Sequence, residues 1–201
     1  SLARSSAAIA VSQFTAQRMR EVYDYQKPIY VLSMPPAEHP KTTVMPESLK
    51  GCPSDYFLFV STIEPRKNVQ TLLDAYDSLP AELQQKHHLV LAGKQGWDSE
   101  ALQRLSLGKN KNVHYIGYVG NEERAWLYKH SLATIIPSFY EGYGMMALEA
   151  LSWNTPVITS DIPPQVELLG SSGMYFEPSD HMALSGHLSA ITNEGTRGAK
   201  L

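Results

Sequence analysis

The segment Phe57-Leu-Phe-Val-Ser-Thr-Ile-Glu-Pro-Arg-Lys-Asn68 joins an apolar run to a polar loop that carries two adjacent cations. A continuous apolar run is typical of a strand in a parallel sheet that is covered by helices on both faces. Similar runs recur along the chain, and they predict strands at 57–61, 88–92, 113–116, 133–137, 157–160 and 174–176. Apolar residues at helical spacing lie between several of these runs, and the last helix is predicted over 180–191 with Ser179 as its N-cap. The alternation predicts an α/β fold with a Rossmann-like, doubly wound parallel sheet.

The chain before residue 55 lies outside this alternation of strands and helices and divides into a short folded unit and a proline-rich linker. Residues 1–34 predict a short strand-helix-strand unit, in which Ser12 or Thr15 caps a helix that runs to about Val22. This unit is too small to bury its own faces, so we interpret it as the remnant of a preceding domain. The proline-rich residues 35–54 predict an extended linker. The Rossmann-like domain then covers 55–192, and 193–201 form a tail.

The overall composition excludes several classes of function. The 201 residues include 17 basic and 20 acidic side chains and carry a net charge of −3, which argues against nucleic-acid binding. The chain lacks an apolar run of about 18 residues, so no membrane-spanning helix is predicted. The single cysteine, Cys52, allows no internal disulfide and fits a reducing compartment without proving one.

A metal site is also not expected from local spacing. The sequence has no cysteine pair and no pair of histidines four residues apart. His87 and His88 are adjacent at the start of a predicted strand, where neighbouring side chains point to opposite faces. We therefore predict no metal.

Polar residues follow most of the predicted strands, at the edge where open parallel sheets bind their ligands. The segment Glu141-Gly-Tyr-Gly-Met-Met-Ala-Leu-Glu149 is the most informative. Gly142 and Gly144 allow a tight turn, and a helix that starts near Tyr143 or Gly144 would direct free N–H groups at an anion. A diphosphate bound there would leave a sugar near Glu141 and a ribose near Glu149. The alternative is that Glu141 only caps the helix and Glu149 is a solvated surface residue.

Two further candidates for ligand binding also have an alternative interpretation without a function. Arg66 and Lys67 could offset the charge of a diphosphate leaving group, or could form a solvated pair bridged to Glu64. Tyr118 could lie beside a nucleobase, with the main chain of Tyr118 and Val119 reading its edge, or could be an ordinary loop tyrosine.

These motifs together resemble a known family. The stretch Pro137-Ser-Phe-Tyr-Glu141-Gly-Tyr-Gly-Met-Met-Ala-Leu-Glu149-Ala, followed by Thr155-Pro-Val-Ile-Thr-Ser160, resembles the E-x7-E signature of GT4-type retaining glycosyltransferases with a GT-B fold. Residues 64–68 resemble the phosphate-binding loop of that family, and 7–15 resemble the last strand and helix of its N-terminal domain. The resemblance covers about 55–190 and implies the C-terminal, donor-binding half of a GT-B fold.

The resemblance also implies roles for the candidate residues. Arg66 and Lys67 would bind the diphosphate of a nucleotide-sugar donor, and Glu141 would contact its sugar or phosphate; these three are the predicted catalytic residues. Backbone amides of Gly144, Met145 and Met146 would hold the same region of the donor. Glu149 would bind the ribose hydroxyls, beside a base near Tyr118 and Val119. Neither a cofactor nor a metal is implied, because protein cations take the place of a metal.

The function expected from this resemblance is transfer of a sugar, with GDP-mannose favoured as donor, to a glycan or lipid-linked acceptor in cell-surface polysaccharide synthesis. The N-terminal domain that binds the acceptor is nearly absent from the sequence, so the fragment alone is expected to be inactive. The full-length enzyme would lie in the cytoplasm, either free or peripheral to the inner face of the membrane. A nucleotide-sugar epimerase-like GT-B enzyme and a non-catalytic nucleotide-sugar-binding module are the alternatives.

Overall fold

The computed structural model describes residues 2–36, 38–52, 55–108 and 110–193. The strands within these ranges are β1 (Ala8–Ala10), β2 (Ile29–Val31), β3 (Tyr56–Val60), β4 (His88–Ala92), β5 (Val113–Tyr115), β6 (Ala133–Ile136), β7 (Val157–Ser160) and β8 (Gly173–Phe176). The helices are α1 (Gln13–Tyr23), α2 (Val69–Asp77), α3 (Ala81–Lys86), α4 (Ser99–Ser106), α5 (Asn121–His130), α6 (Met145–Ser152), α7 (Pro163–Leu169) and α8 (His181–Asn193).

Six strands pair in parallel, in the order β5-β4-β3-β6-β7-β8. The chain runs outward from β3 to β5 on one side, returns to the centre at β6, and continues outward to β8 on the other. This order confirms the predicted Rossmann-like α/β fold. It also places a topological switch point between β3 and β6, where ligands bind in open α/β sheets.

The sheet is covered by helices on both faces, as its apolar strands predict. On one face, alternate β3 residues such as Phe57 and Phe59 pack with residues of α2, α4 and α8. On the other face, Tyr56 and Leu58 pack with residues of α5 and α6. Both faces of β3 are therefore buried, with Phe57, Leu58 and Phe59 each 0% exposed.

The predicted strand-helix-strand unit is present at the N-terminal end of the described chain. β1 and β2 form a separate two-stranded parallel sheet, and α1 connects the two strands. Ser12 is the N-cap of α1, and its hydroxyl accepts a hydrogen bond from the backbone N–H of Thr15. The sheet leaves Ile9 and Tyr30 exposed, as expected of a unit too small to bury its own faces.

The proline-rich segment packs against the larger domain along part of its length. Its one regular element is a single 3-10 turn, Glu47–Leu49, in the described part of the segment, and Leu49 is buried against the sheet. The N–H of Val44 donates to the carbonyl of Glu122 in α5, and the ring of His39 stacks on Trp153 at the end of α6. This linker therefore follows the outer surface of α5 and α6.

The helix predictions need three corrections. Ser179 is not the N-cap of α8, because its hydroxyl bonds Glu177 while the Asp180 carboxylate accepts the N–H of Ala183. Two short helices, α3 and α7, are present although the sequence pattern did not predict them. Residues 194–201 of the predicted tail lie outside the described residues. None of the helices described is both long enough and apolar enough to cross a membrane.

Candidate functional site

The loops that follow β3 and β6 meet at the switch point of the sheet. The N–H of Phe139 donates to the carbonyl of Arg66 at 2.9 Å, which joins the two loops directly. Asn68 has left-handed backbone angles, and its amide donates to the carbonyls of Pro137 and Pro178 at 2.9 and 2.8 Å. One side chain thus ties the ends of β6 and β8 to the loop that bears the two cations.

A buried ion cluster lies where these loops meet. Lys67 Nζ is 2.6 Å from Glu141 Oε1, and the two side chains are 7% and 10% exposed. Arg66 contacts the other oxygen of Glu141 at 3.2 Å and also contacts Glu64 at 3.0 Å. Ser138 donates to Glu141 Oε1 at 2.7 Å. Arg66 and Lys67 therefore both contact Glu141, which brings the three predicted catalytic residues together.

This arrangement bears on the alternatives left by the sequence, and the diphosphate-binding role of the two cations stays a prediction. Glu141 does not cap α6, since the N-cap is Gly144 and no side chain bonds there. The bridge from Arg66 to Glu64 is present, but the pair is not simply solvated, because Lys67 is buried. Two cations face two carboxylates, so the cluster is locally balanced. Arg66 is 44% exposed and its guanidinium has five N–H donors, which leaves it able to contact an anion from solvent.

The N-terminus of α6 adjoins Glu141 through the glycine loop. Gly144 has φ 114 and ψ 43, a conformation that glycine adopts freely, and the helix begins at Met145. The N–H groups of Met145 and Met146 belong to the first helical turn, which lacks intrahelical acceptors for them. Free N–H groups and the positive end of the helix dipole are the features by which helix N-termini bind anions, and here they lie beside the ion cluster.

Gln165 is a residue at this site that the sequence analysis missed. It lies in α7, is 0% exposed, and neither polar atom of its amide has a hydrogen-bond partner among the described residues. Its amide lies against Gly144, where an added Cβ would be 3.1 Å from Gln165 Nε2. The signal for it in the sequence is its position: it lies four residues after Asp161, in the segment that follows a predicted strand at the ligand-binding edge of the sheet.

The N-terminal unit also reaches the glycine loop. The hydroxyls of Ser12 and Thr15 both donate to the carbonyl of Gly142, at 2.7 and 2.9 Å. The ring of Phe14 lies 5.6 Å from that of Tyr140. The small unit therefore supports the loop between Glu141 and α6.

Glu149 lies on the side of α6 that faces α5. Its carboxylate is 3.4 Å from Arg124, and its side chain is 17% exposed, so it is not a freely solvated surface residue. It lines a cavity of about 330 Å³ together with Tyr128 and linker residues that include His39. Burial, with a smaller contribution from the Glu149 carboxylate, raises the pKa of the Tyr128 hydroxyl.

Tyr118 and Val119 have different surroundings. Tyr118 is 71% exposed, and Lys94 Nζ lies 5.3 Å from the centre of its ring. Val119 is buried in the core, so only its main chain is available to a ligand. Tyr118 borders a second cavity of about 540 Å³, which shares Asn121 with the cavity at Glu149.

The predicted residues thus fall into three neighbouring groups. The first is the ion cluster of Arg66, Lys67 and Glu141, and the second is the α6 N-terminus from Gly144 to Met146. The third consists of the two cavities, at Glu149 and at Tyr118. No hydrogen bond or ion pair within the described residues joins Glu149 or Tyr118 to the ion cluster.

Comparison with known proteins identifies the family. Residues 41–200 match the family described as "Glycosyl transferases group 1". The chain belongs to this family. The range of the match includes all three groups of site residues, and the glycosyltransferase resemblance drawn from the sequence is thereby confirmed.

Curated relatives of the chain include bacterial mannosyltransferases. The chain is 38% identical over 135 residues to "O-antigen chain mannosyltransferase B" of Escherichia coli, a match that covers 66% of this chain and 35% of that protein. It is 33% identical over 190 residues to "Serotype-specific mannosyltransferase WbdA" of Escherichia coli, covering 88% of this chain and 23% of that protein. The matches therefore span only 35% and 23% of the length of these two relatives.

Solved structures share the fold at lower sequence identity. "Sucrose-phosphate synthase (tll1590) from Thermosynechococcus elongatus" superposes with a TM-score of 0.77 at 21% identity, covering 95% of this chain and 50% of that chain. The lipopolysaccharide-biosynthesis glycosyltransferase WaaG superposes with a TM-score of 0.71 at 19% identity, covering 96% and 55%. These likenesses confirm the predicted fold, the Rossmann-like half of a GT-B architecture.

Proposed function

We propose that this chain binds the nucleotide-diphosphate sugar donor of a retaining glycosyltransferase. The observation that carries the proposal is the contact of Arg66, Lys67 and Glu141 beside the N-terminus of α6. Cations and free backbone N–H groups at one place suit a diphosphate, and both stabilise it more strongly as charge develops on the leaving group. Metal-independent chemistry follows from this proposal, since protein groups supply the positive charge.

The two neighbouring cavities suit the nucleoside of the same donor. Glu149 offers a carboxylate to the paired ribose hydroxyls, and Arg124 would have to share or release that carboxylate. Tyr118 has an exposed ring that could stack on the base, and the main-chain polar groups of Val119 could form hydrogen bonds with the edge of the base. A donor that spans these groups would direct its sugar toward Glu141.

GDP-mannose is the donor we propose, because several of the relatives are named mannosyltransferases. The reaction proposed for the whole protein is mannosyl transfer to a glycan or lipid-linked acceptor in O-antigen-type polysaccharide synthesis. The acceptor would be bound mainly by the N-terminal domain of the GT-B fold, on the cytoplasmic side of the membrane. Transfer is proposed rather than epimerisation, since these relatives carry transferase names.

Isothermal titration calorimetry of the chain with GDP-mannose, GDP, UDP and ADP tests donor binding. We expect the guanine nucleotides to bind more tightly than UDP or ADP. Glu149→Gln should weaken GDP binding by about tenfold or more, because it removes charged hydrogen bonds to the ribose. Glu82→Gln, on the exposed surface of α3, is the matched control and should leave affinity unchanged.

Two outcomes would count against the proposal. If none of the four nucleotides binds with a dissociation constant below about 1 mM, the donor site is wrong. If Glu149→Gln and Glu82→Gln have equal effects, the ribose role of Glu149 is wrong. Product analysis with the full-length enzyme then tests the reaction: a new α-linked mannoside supports retaining transfer, whereas free epimerised sugar supports the epimerase alternative.

A further inference from the structure

Three side chains with metal-binding atoms converge at the outer half of the sheet, far along the chain from one another. Cys52 lies in the linker before β3, His88 is the first residue of β4, and His114 lies in β5. β4 and β5 pair in parallel with Val90 opposite His114, so His88 and His114 project from the same face. The linker brings Cys52 onto that face.

The distances among these groups are short. His88 Nδ1 is 2.8 Å from His114 Nε2, and the two rings are stacked with their centres 4.9 Å apart. Cys52 Sγ is 3.8 Å from His114 Nε2. One ligand atom from each residue lies within 4.8 Å of the other two, and all three residues are half-buried.

These distances are close to those around a tetrahedral zinc ion. Zinc bond lengths of about 2.0–2.1 Å to nitrogen and 2.3 Å to sulfur imply separations of about 3.3 Å between two nitrogens and about 3.6 Å between sulfur and nitrogen. The separation between Cys52 Sγ and His114 Nε2, 3.8 Å, already matches, and the ligand atoms of Cys52 and His88 lie within 4.8 Å of each other. The two imidazole nitrogens, 2.8 Å apart, need to part by about half an ångström. Burial lowers the pKa of both histidines, which favours the neutral form whose ring nitrogen can bind a metal. Burial raises the pKa of the Cys52 thiol, so zinc would have to displace the thiol proton, which is released to solvent on binding.

We propose that Cys52, His88 and His114 form a binding site for Zn²⁺, with water as the fourth ligand. A thiolate and two imidazoles are the ligands that zinc prefers, and three protein ligands leave one tetrahedral position for solvent. Local spacing along the sequence predicts no zinc site. The three ligands come from three segments that meet only in the folded chain.

The site lies away from the donor-binding groups. His88 begins β4, whereas the loops that carry Arg66 and Glu141 follow the carboxyl ends of β3 and β6. A metal here would fasten the linker to the first residue of β4 and to β5. Zinc should therefore raise thermal stability and leave nucleotide affinity unchanged.

The test uses the tag-free chain, stripped of metal and kept reduced. Zn²⁺ affinity is measured by competition with a chromogenic chelator, and Co²⁺ is used as a spectroscopic probe of the ligands. We expect one metal per chain, a thiolate-to-cobalt charge-transfer band in the near ultraviolet, and a rise in melting temperature with Zn²⁺. Cys52→Ala should abolish the band and weaken Zn²⁺ binding more than about tenfold, since even indirect partners of zinc ligands contribute 10- to 100-fold.

His181→Ala, at the start of α8, is the control that removes an imidazole elsewhere and should bind like the unmodified chain. His88→Ala and His114→Ala should each weaken binding, provided that circular dichroism shows them folded. If either histidine variant is unfolded, the cobalt spectrum of the unmodified chain still tests whether a thiolate binds the metal. A complex without the thiolate band, or equal Zn²⁺ affinity in the unmodified chain and Cys52→Ala, would overturn the proposal.

Discussion

Replacing Lys67 by methionine removes the cation from a pair in which both partners are almost fully buried. The variant keeps the length of the side chain and deletes the 2.6 Å contact with Glu141. Breaking a buried ion pair on one side costs about 3–5 kcal/mol, because it leaves a buried charge without its partner. Arg66 still contacts Glu141 at 3.2 Å and Ser138 still donates to it, so we expect the low end, about 3 kcal/mol.

Urea unfolding followed by tryptophan fluorescence measures this loss. The matched control is Lys50→Met, because Lys50 and Glu47 form another Lys–Glu pair at 2.6 Å with side chains 61% and 82% exposed. An exposed pair contributes about 0–1 kcal/mol, so the control should change stability little. At about 2–4 °C per kcal/mol for a chain of this size, Lys67→Met should lower the melting temperature by roughly 6–12 °C.

A double-mutant cycle separates the pair from general disruption. Lys67→Met with Glu141→Gln should cost less than the sum of the two single changes, by about 2 kcal/mol, since the double variant has no uncompensated charge. Strict additivity, or a loss below about 1 kcal/mol for Lys67→Met, would refute the claim that burial makes this pair strong.

Three further predictions concern the loops around the site and are checked by the same denaturation assay. Gly144→Ala should cost about 1–3 kcal/mol, because φ is 114 and the new Cβ would lie 3.1 Å from Gln165, whereas Gly142→Ala, with its nearest atom at 3.8 Å, should cost less; equal losses would contradict this reasoning. Asn68→Gly keeps the left-handed backbone and loses one buried and one partly buried hydrogen bond to the strand-end carbonyls, together with the bond that Asn68 accepts from Thr71, so we expect a loss of about 2 kcal/mol, and a neutral result would show that the amide does not join the strand ends. Ser12→Ala should cost about 1 kcal/mol or more through the lost N-cap, and an unchanged midpoint would contradict the cap.

The sheet and the first group of site residues were predictable because both follow from rules about strands. Apolar runs located all six strands to within a residue at each end. Since carboxyl ends of parallel strands share an edge, the loops bearing Arg66 and Glu141 were expected near each other. Direct contact depended on β3 and β6 being neighbours, which no local pattern specifies.

Other features depend on packing that the sequence does not express. α3 has no buried residue, so it lacks the apolar spacing by which the longer helices were recognised. α7 begins at Pro163 and Pro164, and prolines at the first helical positions are easily taken for a break. The partner of Glu149 is Arg124, and that pairing depends on how α5 lies against α6.

The hydrogen bonds at the start of α1 have a mechanical consequence. Ser12 and Thr15 hold the carbonyl of Gly142, while the Glu167 carboxylate in α7 accepts the N–H groups of Gln13 and Phe14 at 2.7 and 3.0 Å. A rigid-body rotation of α1 must therefore either break these bonds or carry the glycine loop with it. Any hinge that leaves the ion cluster undisturbed has to lie outside this contact, and a displacement of α1 would be felt first at the backbone beside Glu141.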